Sequence, residues 1–172
     1  MKFINYFFQS IIVYFFFILA KFLGIKLSRT LFAFIFLKLG PFLKSKKVIH
    51  QNLHTFEEKI SELKKETIIS SMWKNYGMTF IEYVFLKYLR KNVSHIEIFG
   101  DENLEKLIKD NKKVIFVSGH FANFELMSME ITKKNIKLAT IYRPLNNFFL
   151  NPFMEYLRKK YVCKKQIKKG IN

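Results

Sequence analysis

Apolar side chains crowd the first quarter of the chain. No charged residue lies between positions 3 and 20, and about 18–20 apolar residues are needed for a helix to cross a bilayer. A second apolar stretch at positions 31–43 contains Lys38 and the helix-breaking pair Gly40-Pro41, which favours a helix lying in the membrane interface. The pattern predicts a membrane anchor over residues 1–43, with a spanning first segment favoured over an interfacial one.

Basic residues flank the first apolar segment unequally. Lys2 alone precedes it, whereas Lys21, Lys26 and Arg29 follow it. The end richer in Lys and Arg tends to remain on the cytoplasmic side of a membrane. The rest of the chain is therefore expected in the cytoplasm, next to the membrane.

Helical periodicity continues beyond the anchor and then gives way to alternating strand and helix signals. Residues 44–91 combine charged positions with apolar ones at helical spacing, and they predict a helical lead-in. Residues 92–172 predict an α/β sheet domain. Its expected strands lie at 96–99, 114–117 and 138–142, and its expected helices lie at 102–110, 123–132 and 148–161.

A formal net charge of +17 narrows the binding partners to anionic surfaces. From position 133 onward the chain holds eleven Lys or Arg and a single acid, Glu155. Lipid head groups, an acidic protein and a nucleic acid all fit such a charge, and so does a solvated run of lysines. Nucleic acid is the least favoured partner, because the aromatic and basic residues do not form a known base-reading module.

His120 follows the apolar run at 114–117 and precedes a predicted helix, where a side chain can face a crevice at the end of a strand. Glu125 lies five positions further along. In one continuous helix the two side chains would diverge by about 140°, so the pair requires a turn that returns the carboxylate to the imidazole. A histidine oriented in this way can act as a general base toward a hydroxyl, whereas the alternative is a helix-capping residue.

Nucleotide and metal chemistry have little support in the sequence. It contains no Gly-x-x-x-x-Gly-Lys loop, no Gly-x-Gly-x-x-Gly and no His-Glu-x-x-His motif. His50 and His54 have a helical spacing that suits a metal, but they lack an obvious third ligand. We therefore expect neither a metal nor a cofactor.

Two ordered strings carry most of the information about function. The first is Gly119-His-Phe-Ala-Asn-Phe-Glu125, and the second is Tyr142-Arg-Pro-Leu-Asn-Asn147, which follows the next predicted strand. Both resemble motifs of the bacterial lipid A biosynthesis acyltransferase family, of the lauroyl and myristoyl transferase type. Upstream, Val48-Ile-His-Gln-Asn-Leu53 and Asn75-Tyr-Gly77 with Glu82 are similar to the helical lead-in of that family. The resemblance extends over the whole chain.

The resemblance implies a glycerolipid-acyltransferase-like α/β fold behind a membrane anchor, in the bacterial inner membrane with the catalytic part on the cytoplasmic side. It implies transfer of a fatty acyl chain from acyl carrier protein to a hydroxyl of a Kdo-lipid A precursor, with His120 as general base and Glu125 as its orienting partner. Arg143 matches a motif arginine that would grip an acceptor phosphate or stabilise an oxyanion. Asn123 and Asn146 lie in the same two motifs and are expected to bind substrate.

Members of this family are longer, and residues 166–172 look like the start of a further α/β segment. We therefore expect an incomplete sheet with an exposed strand edge. An inactive remnant or fragment of the enzyme is one alternative. An acyltransferase with a glycerol phosphate or mannosyl lipid acceptor is another.

Overall fold

The computed structural model is mostly helical and describes residues 2–43, 45–56, 59–92, 96–111 and 113–170. Within these ranges the α-helices are α1 (Lys2–Leu43), α2 (Lys46–Phe56), α3 (Glu62–Glu82), α4 (Leu86–Lys91), α5 (Asp101–Asp110), α6 (Glu125–Lys133) and α7 (Asn151–Tyr161). A short 3-10 helix, Tyr83–Phe85, connects α3 to α4. Two strands, β1 (Ala139–Tyr142) and β2 (Lys165–Lys168), pair in parallel.

The first helix contains both predicted apolar segments and is broken between them. Gly24 has φ 74° and ψ 168° inside α1, a backbone conformation that glycine adopts at little cost. The hydroxyl of Ser28 donates to the carbonyl of Ala20 across the break, at 3.1 Å. The pair Gly40-Pro41 does not interrupt the helix, which continues through Pro41 to Leu43. By length and composition, α1 is apolar enough to cross a membrane.

Residues Phe17–Glu82 form one compact unit, which we call the helical unit. The ring of Phe80 lies against those of Phe17, Phe32 and Phe36, with centroids 5.3, 5.9 and 5.6 Å away. Gly77 permits a close approach of α3 to α1, because a Cβ there would lie 2.1 Å from the carbonyl oxygen of Phe32. Small residues at helix crossings allow such backbone contact.

Residues up to Phe16 and from Tyr83 onward form a second compact unit, which we call the site unit. Its buried apolar side chains come from the 3-10 helix, α4, α6, α7 and the turn after α7: Val84, Phe85, Leu86, Leu89, Met129, Ile131, Met154, Leu157, Val162 and Cys163. Helix α7 is the crossover between the parallel strands β1 and β2, and parallel strands require such a connection. Arg90 ties α4 to this core, because its Nη1 donates to Thr132 Oγ1 and to the carbonyl of Tyr161, each at 3.0 Å.

The expected glycerolipid-acyltransferase-like α/β domain is not confirmed, because the sheet of the described residues has two strands, β1 and β2. The predicted strands at 96–99 and 114–117 are wrong, because both segments are irregular in the structure. Ile115 and Val117 are about nine-tenths exposed, at 92% and 90%. An apolar strand of a parallel sheet needs paired strands beside it and helices on its faces, and among the described residues only β1 and β2 pair. The strand at 138–142 and the three helices expected in this region are confirmed as β1, α5, α6 and α7.

Candidate active site

Glu125 is the first residue of α6 and is buried beneath two other elements of the site unit. Its Oε1 accepts a hydrogen bond from Arg158 Nε on α7 at 2.6 Å and another from the Tyr83 hydroxyl at 2.8 Å. Arg158 Nη2 also donates to the Tyr83 oxygen at 3.0 Å, which closes a triangle of bonds. The position of Glu125 in the first helical turn adds the favourable end of the helix dipole to this pairing. We call these three residues the carboxylate cluster.

The three groups of the carboxylate cluster stabilise one another in the protonation states that the hydrogen bonds require. Burial, followed by the negative charge of Glu125, raises the pKa of Tyr83, so the phenol stays a proton donor. Burial opposes the charge of Arg158, but Tyr83 and Glu125 outweigh it and raise the pKa of the guanidinium. The guanidinium carbon also lies 5.6 Å from the ring centroid of Tyr83 and 5.9 Å from that of Tyr142, within the range of cation–π attraction. Arg158 is therefore a permanent counter-ion for Glu125.

His120 lies on the surface, and its ring stacks on Phe124 with centroids 4.4 Å apart and an interplanar angle of 18°. Both His120 and Glu125 lie in the described part of the chain, and no hydrogen bond or ion pair joins them there. The expected contact between carboxylate and imidazole is thus not formed. Phe124 already has helical backbone angles, so the chain is committed to α6 before Glu125, and Glu125 turns toward Arg158. Its second oxygen, Oε2, accepts no hydrogen bond from any described residue.

Residues 142–147, which we call the arginine loop, present Arg143 and Asn146 to solvent. Their backbone is nevertheless held firmly by α7. The hydroxyl of Tyr142 donates to Glu155 Oε1 at 2.6 Å, and Asn151 Oδ1 accepts from the backbone N–H of Leu145 at 2.8 Å. Arg143 is therefore an exposed, charged side chain on a loop whose backbone is anchored to α7.

The far end of the arginine loop is held by Asn147. Its side-chain oxygen accepts from the backbone N–H groups of Phe149 and Leu150, at 3.0 and 3.3 Å. This is the turn chemistry of an asparagine at the start of a helix. Its Nδ2 donates to the carbonyl of Tyr6 in α1 at 2.9 Å. The loop thus connects the first helix to α7.

The remaining predicted residue, Asn123, is buried in the turn before α6, with 8% of its surface exposed. The structure therefore brings Glu125 into a polar cluster and exposes His120, Arg143 and Asn146. No three His, Cys, Asp or Glu side chains converge as a metal site would require, as far as the described residues go.

Sequence analysis missed the contribution of Arg158, because it lies in a run of basic residues that resembles a solvated surface. The signal that identifies it is helical spacing. Met154 and Leu157 are buried and lie four and one positions before Arg158 on α7, so this arginine belongs to the inward face. Tyr83 lies within the predicted helical lead-in, and its hydroxyl carries no separate sequence signal.

These features define a small, largely helical protein with a strongly apolar first helix, a buried and paired carboxylate, and an exposed histidine before it. The chain belongs to the bacterial lipid A biosynthesis acyltransferase family, whose sequence profile matches residues 1–167. Comparisons with curated proteins and with solved structures gave no match. Membership of this family identifies acyl transfer in lipid A biosynthesis as the activity of the class.

Replacing the counter-ion of Glu125 is expected to destabilise the site unit. In Arg158→Met, the buried carboxylate loses its cation, and such a loss costs about 3–5 kcal/mol. Tyr83→Phe removes one hydrogen bond to a charged group, about 1.5–3 kcal/mol. Chemical unfolding in detergent micelles measures both changes. Lys160→Met, at an exposed site on the same helix, is the matched control, and equal stability of the two Met variants would contradict the assignment.

The hydrogen bonds to Glu155 predict that the stability of the protein falls at acid pH. The hydrogen bond from Tyr142, together with those from Asn151 and Lys168, lowers the pKa of Glu155 from 4.5 to about 2. A carboxylate with a depressed folded-state pKa adds stability above its unfolded pKa and loses it as the pH falls toward the folded value. Wild-type stability should therefore fall between pH 4.5 and about 2 more steeply than that of Glu155→Gln. Parallel stability curves in acid titrations of the two proteins would contradict this network.

Proposed function

We propose that the protein transfers a fatty acyl chain from acyl carrier protein to a hydroxyl of a Kdo-lipid A precursor, on the cytoplasmic side of the bacterial inner membrane. The observation that carries the proposal is the family match over residues 1–167, which includes both motif strings. The geometry supports it with an exposed imidazole at His120 and a permanently paired carboxylate at Glu125.

His120 is the proposed general base. Its unprotonated ring nitrogen takes the proton of the acceptor hydroxyl while the oxygen attacks the thioester carbonyl carbon. The tetrahedral intermediate then collapses, the carbon–sulfur bond breaks, and the imidazolium returns the proton to the departing thiolate. An ester forms and a thiol leaves, and the histidine ends in its starting state. This sequence requires neither a metal nor a cofactor.

Glu125 is proposed to orient the base through the oxygen that the protein leaves open. Arg158 and Tyr83 both use Oε1, so Oε2 is available to accept the second ring nitrogen of His120. The imidazole would leave the face of Phe124 to reach it. A carboxylate held in place by two donors fixes the tautomer of its histidine partner more firmly than a free side chain does.

Arg143 is proposed to bind an acceptor phosphate. Its guanidinium is exposed on the anchored arginine loop, and a planar guanidinium matches two phosphate oxygens at once. Stabilisation of the oxyanion is the other role that its chemistry allows. Asn146, exposed on the same loop, and Asn123, beside Glu125, are proposed to add hydrogen bonds to substrate.

The basic end of the chain is proposed to attract both substrates. Exposed lysines lie at both ends of β2, at positions 164, 165, 168 and 169. Acyl carrier protein and a phosphorylated disaccharide are both anionic, and a positive face raises their rate of encounter.

Removal of the imidazole is expected to lower acyl transfer by about 10²–10⁴-fold, the usual contribution of a general base. The test compares His120→Ala with wild-type full-length protein in detergent, with acyl carrier protein as donor and Kdo-lipid A precursor as acceptor. Because His120 is exposed, its loss should leave the unfolding transition unchanged. His54→Ala, at an exposed site on α2, is the control. An inactive wild type would overturn the proposed function, and an active His120→Ala would overturn the mechanism.

Kinetics of Arg143 variants separate its two possible roles. For a phosphate ligand, Arg143→Ala should raise the KM for the acceptor roughly 10- to 100-fold with little change in kcat, because a charge-assisted bond is lost equally in ground and transition states. Arg143→Lys should recover part of the loss. A fall in kcat at unchanged KM would instead assign the oxyanion role. Lys164→Ala, also exposed, controls for the loss of one positive charge.

A further inference from the structure

The first part of α1 lies alongside irregular backbone of the site unit over more than two helical turns. Asn147 Nδ2 bonds the carbonyl of Tyr6, and the hydroxyl of Tyr14 donates to the carbonyl of Phe149 at 2.9 Å. Tyr6 and Tyr14 are eight residues apart, or about 12 Å along a helix axis. The turn at 148–150 and the start of α7 therefore run beside this part of α1.

Aromatic rings fill the contact between these two segments. Phe149 lies 5.2 Å from Phe3 and 5.5 Å from Phe7, measured between ring centroids. Tyr14 lies 5.6 Å from Phe153 on α7 in an edge-to-face arrangement. This packing fixes the helix against the turn, so the two must share one depth relative to a membrane.

Irregular backbone does not occur in contact with the hydrocarbon of a bilayer, because its polar groups would lose their hydrogen bonds to water. Asn146 and Phe148 are exposed at the turn beside α1. If the first segment of α1 crossed the membrane, this turn would lie within the hydrocarbon. The contact with Tyr14 extends too far along the helix for the turn to stay outside.

Another side of the same helix is apolar and uncovered. Apart from Phe3 and Phe7, whose rings also meet the turn, the exposed large side chains between positions 3 and 15 are Ile4, Phe8, Ile11, Ile12 and Phe15, each 48–60% exposed. At about 100° per residue these five lie within about one third of the helical circumference. Asn5 and Gln9 are also exposed, and they fall together at the border of that side. A face of this kind, bordered by polar residues, is that of a helix lying in the plane of a membrane interface.

We propose that residues 3–15 of α1 lie flat in the head-group region of an anionic phospholipid membrane, with the uncovered apolar face inserted, and do not cross the bilayer. The net charge of +17 favours an anionic lipid surface. The helix satisfies the length and composition of a span, but the turn at 148–150 and the start of α7 cover one side of its residues 3–15. The arginine loop, tied to Tyr6 through Asn147, is then held at the level of the head groups.

This placement refines the proposed function and, for the route of the acceptor, rests on it. Arg143 on the arginine loop meets phosphates at the membrane surface, so a lipid acceptor reaches the site without leaving the bilayer. The orientation of the helix itself is independent of any activity. Experiments can therefore contradict the helix orientation and the proposed function independently of each other.

Spin labels on adjacent positions test the orientation. In a Cys163→Ala background, labels are placed singly at Phe8→Cys, Gln9→Cys and Ile12→Cys, and the protein is bound to phosphatidylglycerol vesicles. Positions 8 and 9 differ in height along the helix axis by only about 1.5 Å. A flat helix gives labels 8 and 12 a several-fold higher ratio of oxygen to water-soluble nickel-chelate collisions than label 9. Equal ratios at 8 and 9 would overturn the proposal.

Sidedness in cells provides a second measurement that does not rely on vesicle binding. Lys2→Cys in the same background is treated with a membrane-impermeant maleimide in intact spheroplasts and again after lysis. A helix lying on the cytoplasmic surface is labelled only after lysis. Labelling in intact spheroplasts would show that the segment crosses the membrane and would overturn the proposal. Acyl transfer measured on the same variants reports separately on the proposed function.

Discussion

The ion pair between Glu125 and Arg158 removes two charges from water, with 8% and 12% of the two side chains still exposed. Burial of such a pair costs free energy unless nearly all of its hydrogen bonds are formed. Tyr83 adds two of these bonds, because its hydroxyl donates to Glu125 and accepts from Arg158. Each residue comes from a different element, so these bonds hold the 3-10 helix, α6 and α7 against one another. The same bonds that stabilise the site unit therefore set the direction of the carboxylate.

Helix α7 supports both the carboxylate cluster and the arginine loop. Its inward arginine meets Glu125, its acid Glu155 holds Tyr142, and Asn151 at its first turn holds Leu145. The turn that leads into it is packed against α1 through Phe149. A change of α7 would thus affect the carboxylate cluster, the arginine loop and the contact with residues 3–15 of α1 together. The sequence of α7 looks like that of a basic surface helix, yet its buried residues lie at the centre of the site unit.

The elements that sequence predicted well are those with local causes. Helix α5 was expected at 102–110 and lies at Asp101–Asp110, because its acids fill the first turn and its apolar residues follow a helical period. The prediction of a strand at 114–117 was wrong because a buried strand depends on partners distant in sequence. The roles of Arg158 and Tyr83 were not predicted, for the same reason. Their bonds to Glu125 span 33 and 42 positions of the chain, and neither residue type nor local spacing reveals a partner so distant in sequence. The two motif strings, by contrast, indicate Glu125, His120 and Arg143 as candidates from the sequence alone, and the roles of these residues stay predictions.

The two members of the proposed catalytic pair have unequal support. Glu125 is held by two short bonds inside the core, whereas His120 follows an irregular segment whose Ile115 and Val117 face solvent, and it is held by stacking on Phe124. Rates of positioned chemistry fall steeply when a reacting group is misplaced by about 1 Å. Efficient base catalysis at the proposed pair therefore requires that the imidazole of His120 be held as closely as the carboxylate is. Since the carboxylate is already fixed by Arg158 and Tyr83, the position of the imidazole, and not the charge of Glu125, is what the proposed mechanism depends on most.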